Sequence, residues 1–322
     1  MNPPRARPIP HTRPAVWPQI RPGRLAAGIR ADDPHGCQVA LLGLPDDTGV
    51  ALNHGRPGAR QGPEALRRVL ASFGMPYDLG ASCALGTRLF DAGDVEPAAG
   101  EGVQALSETH RRVRAAVNAL HALGLVPLCV GGGHDLSYPA VAGLWDHLGQ
   151  GRGLSGVNLD AHLDVRETPG SGMPFRRLIE EGCLAPARHV TLGLGAFSNL
   201  EAHVDWARAR GVKMVLAEAV LAGEVSVDGA FAAAFSGPED RGFVSICLDG
   251  LDGAFAPGVS AQNPAGLNPV HALALARLAG RDPRVRHFDV MELSPPHDLG
   301  DRTARLAATL MLAFLSAFGE RP

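Results

Sequence analysis

The chain has 322 residues, enough for two ordinary domains or one large α/β domain. Hydrophobic residues make up 45%, charged residues 20% and aromatic residues 5%, a balance that excludes an intrinsically disordered chain. With 30 Lys+Arg against 33 Asp+Glu and no long run of either sign, the formal net charge of -3 argues against a nucleic-acid footprint or a polybasic membrane patch and leaves a small molecule as the expected partner.

Residues 1–37 begin MNPPRARPIPHTRP, arginine-bearing but with no apolar stretch behind, and read as a loose arm rather than a secretory signal. Eight runs rich in Val, Ile and Leu then follow, at residues 38–42, 87–90, 126–130, 156–159, 189–194, 212–216, 243–248 and 286–291. Between the second and third, residues 102–123 form the strongest predicted helix. There Val103, Leu106, His110, Val113, Val117 and Leu120 recur every three or four residues, and Gly124 supplies a stop. The longest apolar run, residues 306–318, is interrupted by Thr309 and Ser316 and falls short of the roughly 18–20 residues a membrane-spanning helix needs, so it predicts a buried C-terminal helix. Strand and helix alternate over residues 38–322 without a linker or repeat. That pattern predicts one α/β domain, a parallel sheet of about eight strands with helices on both faces. Cys37, Cys83, Cys129, Cys183 and Cys247 are far apart with no C-x-x-C pair, the usage of a reduced, cytoplasmic protein.

Chemistry is expected at the carboxyl ends of such strands. Gly131-Gly132-Gly133-His134-Asp135-Leu136-Ser137 delivers His134 from a glycine turn, although a turn with an incidental histidine is the plainer reading of that segment alone. Asp160-Ala161-His162-Leu163-Asp164 is stronger. Alternation turns Asp160, His162 and Asp164 one way and the apolar pair the other, and two carboxylates on an otherwise apolar strand end are costly unless cations neutralise them or a hydrogen-bond network holds them. In Ser245-Ile246-Cys247-Leu248-Asp249-Gly250-Leu251-Asp252, Cys247 and Asp249 share a face; Cys247 is either a ligand or a small buried hydrophobe. Oxygen and imidazole donors suit Mn²⁺ or a similar hard ion. His134, Asp160, His162, Asp164 and Asp249 exceed the needs of one ion, so a pair able to activate water is expected.

The motifs GGGHDLS, DAHLD and SICLDGLD, in that order, resemble the three metal motifs of the ureohydrolase superfamily (arginase, agmatinase, formimidoylglutamase), and Asn53-His54-Gly55-Arg56-Pro57-Gly58-Ala59 resembles its N-terminal signature. The resemblance covers about residues 38 to 318 and is greatest to the formimidoylglutamases: GGGH, Arg166 after DAHLD, Ser171-Gly172-Met173-Pro174-Phe175-Arg176, and Glu292-Leu293-Ser294-Pro295. It implies an arginase-like three-layer fold, a binuclear manganese centre on His134, Asp160, His162, Asp164, Cys247 and Asp249, a homo-oligomer, and hydrolysis of N-formimidoyl-L-glutamate to L-glutamate and formamide in histidine degradation. Asp164 would relay a proton to the leaving nitrogen, Glu292 would hold the cationic formimidoyl group, and Arg166 and Arg176 would take the substrate carboxylates. Cys247 departs from the family pattern, which carries a bridging aspartate there. A coordinated thiolate would restore the missing negative charge but is a soft donor for Mn²⁺. An agmatinase-type or guanidino-acid ureohydrolase, or a catalytically weakened paralogue, stays open as an alternative; against the first, residues 165–188 lack the histidine those relatives carry.

Overall fold

A computed structural model describes residues 9–321. In chain order the strands are β1 (Thr12–Arg13), β2 (Val39–Leu44), β3 (Tyr77–Asp78), β4 (Cys83–Ala84), β5 (Leu89–Val95), β6 (Val126–Gly131), β7 (Leu154–Leu159), β8 (Leu184–Leu194), β9 (Lys213–Leu216), β10 (Gly242–Cys247) and β11 (Val285–Met291). The helices are α1 (Thr48–Leu52), α2 (Gly62–Leu70), α3 (Gly102–Ala122), α4 (Ser137–His147), α5 (Pro174–Glu180), α6 (Glu201–Ala209), α7 (Ala217–Leu221), α8 (Val227–Ala234), α9 (Pro269–Arg281) and α10 (Arg302–Phe318). Every one of the eight predicted strand segments overlaps an observed strand. Nine strands form one sheet in the order β1-β5-β2-β6-β11-β10-β7-β8-β9, parallel throughout except for β1 at the edge. The remaining pair, β3 and β4, makes a small antiparallel ribbon.

The central strands are apolar on both faces because helices cover both. Along β10, Val244 and Ile246 pack into the larger cluster with Leu275 of α9 and Phe314 of α10, whereas Phe243 packs on the other face with Phe175 of α5 and Val141 of α4. Predicted helix 102–123 is α3, and its stripe of Leu106, Val113, Val117 and Leu120 is buried. Burying these four aliphatic side chains stabilises the fold by roughly 1.5–3 kcal/mol each, an upper figure because the unfolded chain is already partly compact. Gly124, at φ 77°, ends α3: its N–H donates to the His121 carbonyl and the Leu125 N–H to the Leu120 carbonyl, a Schellman closure. No helix among the described residues is long and apolar enough to cross a membrane.

The described part of the N-terminal arm is not loose, contrary to the sequence expectation; residues 1–8 lie outside the described residues. Ile9 is buried, Thr12 and Arg13 pair with Val95 and Asp94, and Trp17 Nε1 donates to Asp91 Oδ2 at 2.6 Å. A two-residue edge strand among prolines has no period-2 pattern to betray it, and only the free edge of β5 creates it. Asp91 is also half of a buried ion cluster: Arg67 of α2 reaches Asp91 Oδ1 at 2.9 Å and Asp94 Oδ1 at 2.6 Å.

Candidate metal centre

Four neighbouring central strands, β6, β11, β10 and β7, end on the same side of the sheet, where the chain order reverses across it. Each delivers part of one cluster. His134 follows β6, Asp160, His162 and Asp164 follow β7, Cys247 closes β10 with Asp249 in the next turn, and Glu292 follows β11. His134, Asp160, Cys247, Asp249 and Glu292 are all buried, and Asp160 is fully inaccessible. Asp164 and Glu292 take positive φ, 50° and 66°, a conformation costly for residues with a Cβ and typical of chains bent to aim a side chain into a site.

One ligand atom each from His134, Asp160 and Cys247 lies within 4.8 Å of the others, and the same holds for Asp160, His162 and Asp249. Asp160 is therefore common to two sets of donors, the arrangement two adjacent cations require. His134 Nδ1 is 2.9 Å from Asp160 Oδ2 and 2.8 Å from Asp164 Oδ2; His162 Nδ1 is 3.3 Å from Asp160 Oδ1 and 3.5 Å from Asp249 Oδ2. Cys247 Sγ donates to Asp249 Oδ1 at 2.8 Å, so the cysteine faces the cluster rather than the core. Glu292 Oε1 accepts the His134 backbone N–H at 3.0 Å and leaves its buried Oε2 without a partner.

The electrostatics show what the cluster requires. Burial and the neighbouring Asp160 push Asp164 up to about 6, and burial together with Asp249 pushes Glu292 up to about 8. Burial opposes charge on His162, yet Asp249 and Asp160 overcome it and hold the imidazole up at about 12; His134 is raised well above its usual range by Asp160 and Asp164 in the same way. Burial and the surrounding carboxylates keep Cys247 a thiol. Without cations the cluster is tolerable only by protonating its imidazoles and some of its acids, which a buried network of this density avoids when divalent ions stand among the oxygens. The donor set thus fits two divalent ions, with Cys247 as its one soft member.

Behind the cluster, His134 Nε2 lies 3.0 Å from Ser245 Oγ, whose hydroxyl donates to Asp289 Oδ1. Because that carboxylate can only accept, Ser245 accepts the Nε2–H, which turns Nδ1 toward the donors. His287 Nε2 holds the other Asp289 oxygen at 2.8 Å. Sequence reasoning missed Asp289 and Ser245 in this role. The available signal was a hydroxyl on the same strand face as Cys247.

A cavity of about 210 Å³ opens onto the cluster, lined also by Asn53, Arg166, Ser171, Ser198, Asn199 and His203. Arg166 makes no ion pair among the described residues. Its backbone N–H donates to the Gly172 carbonyl at 2.8 Å, and a Cβ on Gly172 would come within 2.9 Å of Arg166 Cδ and Nε, so the glycine makes room for the guanidinium. Arg176, grouped with Arg166 by the sequence, does not line the cavity: it pairs with Glu180 at 2.8 Å and Glu167 at 3.5 Å and packs over the Trp206 ring. Its place on α5 at four residues from Glu180 directs it along the helix instead.

Among known proteins, the model of the arginase family matches residues 37–316. Formimidoylglutamases of Aromatoleum aromaticum and Geobacillus thermodenitrificans are 36% and 32% identical, covering 88% and 87% of this chain and 84% of each relative. A crystal structure of Trypanosoma cruzi formiminoglutamase with manganese superposes with a TM-score of 0.84 at 29% identity, over 93% of this chain and 99% of the other. Matched by the family's model over residues 37–316 and by relatives more than 30% identical over most of its length, the chain belongs to the arginase family.

Proposed function

We propose that the chain hydrolyses the C–N bond of N-formimidoyl-L-glutamate, releasing L-glutamate and formamide, with two divalent ions, Mn²⁺ by the relatives' example, held by His134, Asp160, His162, Asp164, Cys247 and Asp249 within a catalytic unit of residues 38–322. The observation that carries this reading beyond the family is Arg166, a guanidinium without an acidic partner in the cavity that the donors line. Agmatine and other amines with no carboxylate leave it unused; a formimidoyl amino acid does not.

When bound, the ions supply positive charge beside the reacting carbon and make water acidic enough to act as a nucleophile near neutral pH. The chain's own groups do the rest. Glu292, buried with its Oε2 unpartnered, holds the amidinium, whose positive charge offsets the upward push that burial and Asp249 give its pKa. Asp164 takes a proton from the attacking water and passes it to the leaving nitrogen, a proton-relay role worth roughly 10² to 10⁴ in rate. Ser245 and Asp289 keep His134 in one tautomer, and Arg166 fixes the substrate by a carboxylate.

The deciding experiment compares kcat/KM for N-formimidoyl-L-glutamate, arginine and agmatine on the manganese-loaded chain. The formimidoyl substrate is expected to be preferred. Arg166→Ala is expected to lower its kcat/KM by roughly one to two orders of magnitude, the worth of one charge-assisted contact. Comparable or faster turnover of agmatine ends the reading.

Cys247 predicts a gain. Because its Sγ sits between His134 and Asp160 on one side and Asp249 on the other, Cys247→Asp puts a hard oxygen donor where a soft one stands. Metal analysis is expected to show Mn²⁺ rising toward two per chain, with higher activity in Mn²⁺. A lower melting temperature with no added manganese would mean that the new carboxylate is merely a buried unpaired charge.

A further inference from the structure

The substrate of the proposed reaction carries two carboxylates, and the cavity offers one unpaired guanidinium. Arg176, the second cation marked by the sequence, is held outside by Glu180, Glu167 and the Trp206 ring. His203, in the first turn of α6, lines the cavity instead. Its ring is half-buried and makes no hydrogen bond or ion pair among the described residues. Burial depresses its pKa, and the positive charges of Arg166 and Arg176 depress it further. The adjoining segment adds only uncharged polar groups, Ser198 and Asn199, of which Asn199 is committed to the backbone of Leu163 and Ala161. A carboxylate bound there, in the cavity that Arg166 also lines, can accept the ring N–H.

We infer that His203 is a specificity-determining residue: together with Arg166 it binds the pair of carboxylates of a dicarboxylate substrate, each residue taking one. This rests on the proposed reaction and deepens it by naming the residue that takes the substrate's second carboxylate. Nothing in the inference needs His203 to touch the reacting carbon or the ions. Its effect is confined to binding and to discrimination between substrates.

The test uses the full manganese-loaded chain, His203→Ala and His203→Gln, with N-formimidoyl-L-glutamate and two analogues, N-formimidoyl-L-norvaline, lacking the distal carboxylate, and N-formimidoyl-4-aminobutyrate, lacking the other. Removing one hydrogen bond to a charged group is expected to raise KM for the dicarboxylate roughly ten- to hundredfold in His203→Ala. The preference for it over one of the analogues is expected to shrink by a similar factor, while His203→Gln, which keeps a donor, recovers part of the loss. Calorimetric titration of L-glutamate into the same proteins gives a readout independent of turnover, and its affinity is expected to fall in parallel in His203→Ala at unchanged manganese content. Unchanged KM, unchanged discrimination against both analogues and unchanged L-glutamate binding in His203→Ala overturn this inference while leaving the reaction standing. A wild-type chain that turns over no formimidoyl substrate overturns both.

Discussion

Asp160→Asn is expected to abolish tight metal binding and to lower kcat/KM for the formimidoyl substrate by more than the roughly 10²-fold that loss of an outer partner of a metal ligand costs. Asp160 is the donor common to both sets, so its charge is lost to both ions at once. The amide keeps the shape and can still accept the His162 backbone N–H, which Asp160 Oδ1 now takes at 2.7 Å. Asp160 repels Asp164 and Asp249, raising the pKa of both, but its carboxylate is held ionised against burial by His134 and His162, so the neutral amide gives up two ion pairs. The metal-free variant should therefore still fold but melt below the metal-free parent. Metal analysis, steady-state kinetics and thermal melting together check this, and a variant retaining two ions and full activity would remove Asp160 from the centre.

The largest effect on stability is expected at Arg67, far from that chemistry. Its guanidinium is buried, donates through Nε, Nη1 and Nη2 to Asp91 and Asp94, and is the cation of a cluster that also receives Trp17 Nε1. Arg67→Met keeps most of the volume but leaves two buried carboxylates unpaired, a loss of about 3–5 kcal/mol. The neighbouring strand is shaped for the pair: a Cβ at Gly43 of β2 would strike Asp94, so the fold has made room for a charge there instead of a methyl group. Chemical denaturation measures the change. A loss under about 1 kcal/mol would mean that the carboxylates take up protons or water at little cost, and that the cluster serves register more than stability. Arg67 does not line the cavity, so KM is expected to hold wherever the variant is folded.

Much of this molecule was legible in one dimension. Interior parallel strands must be apolar on both faces, so seven of the eight predicted segments announced themselves as short apolar runs buried in the sheet, the eighth being β9 at its edge, and α3 announced itself by its 3.6-residue stripe and its closing glycine. The donors were legible for the same reason. Acids and imidazoles alternating at the end of an apolar strand, as in Asp160, His162 and Asp164, have no cheap structural explanation. Alternation likewise put Cys247 on the face of Asp249, where its thiol is found.

Three things only the tertiary structure decided, each because it depends on groups distant in the chain. The first residues of the sheet, Thr12 and Arg13, are a strand solely because β5 presents an open edge. Whether an arginine near a motif reaches substrate is set by which acid captures it first: Arg166 finds none, while Arg176 finds Glu180 one helical turn away and Trp206 from α6. Asp289 and His203 were ordinary residues on ordinary elements until β11 was laid beside β10 and the first turn of α6 was brought to the cavity. Period and composition report what a residue's own element buries; they carry no record of which other element will face it, and it is that meeting that turns a carboxylate into an anchor for His134 and an imidazole into a wall of the cavity.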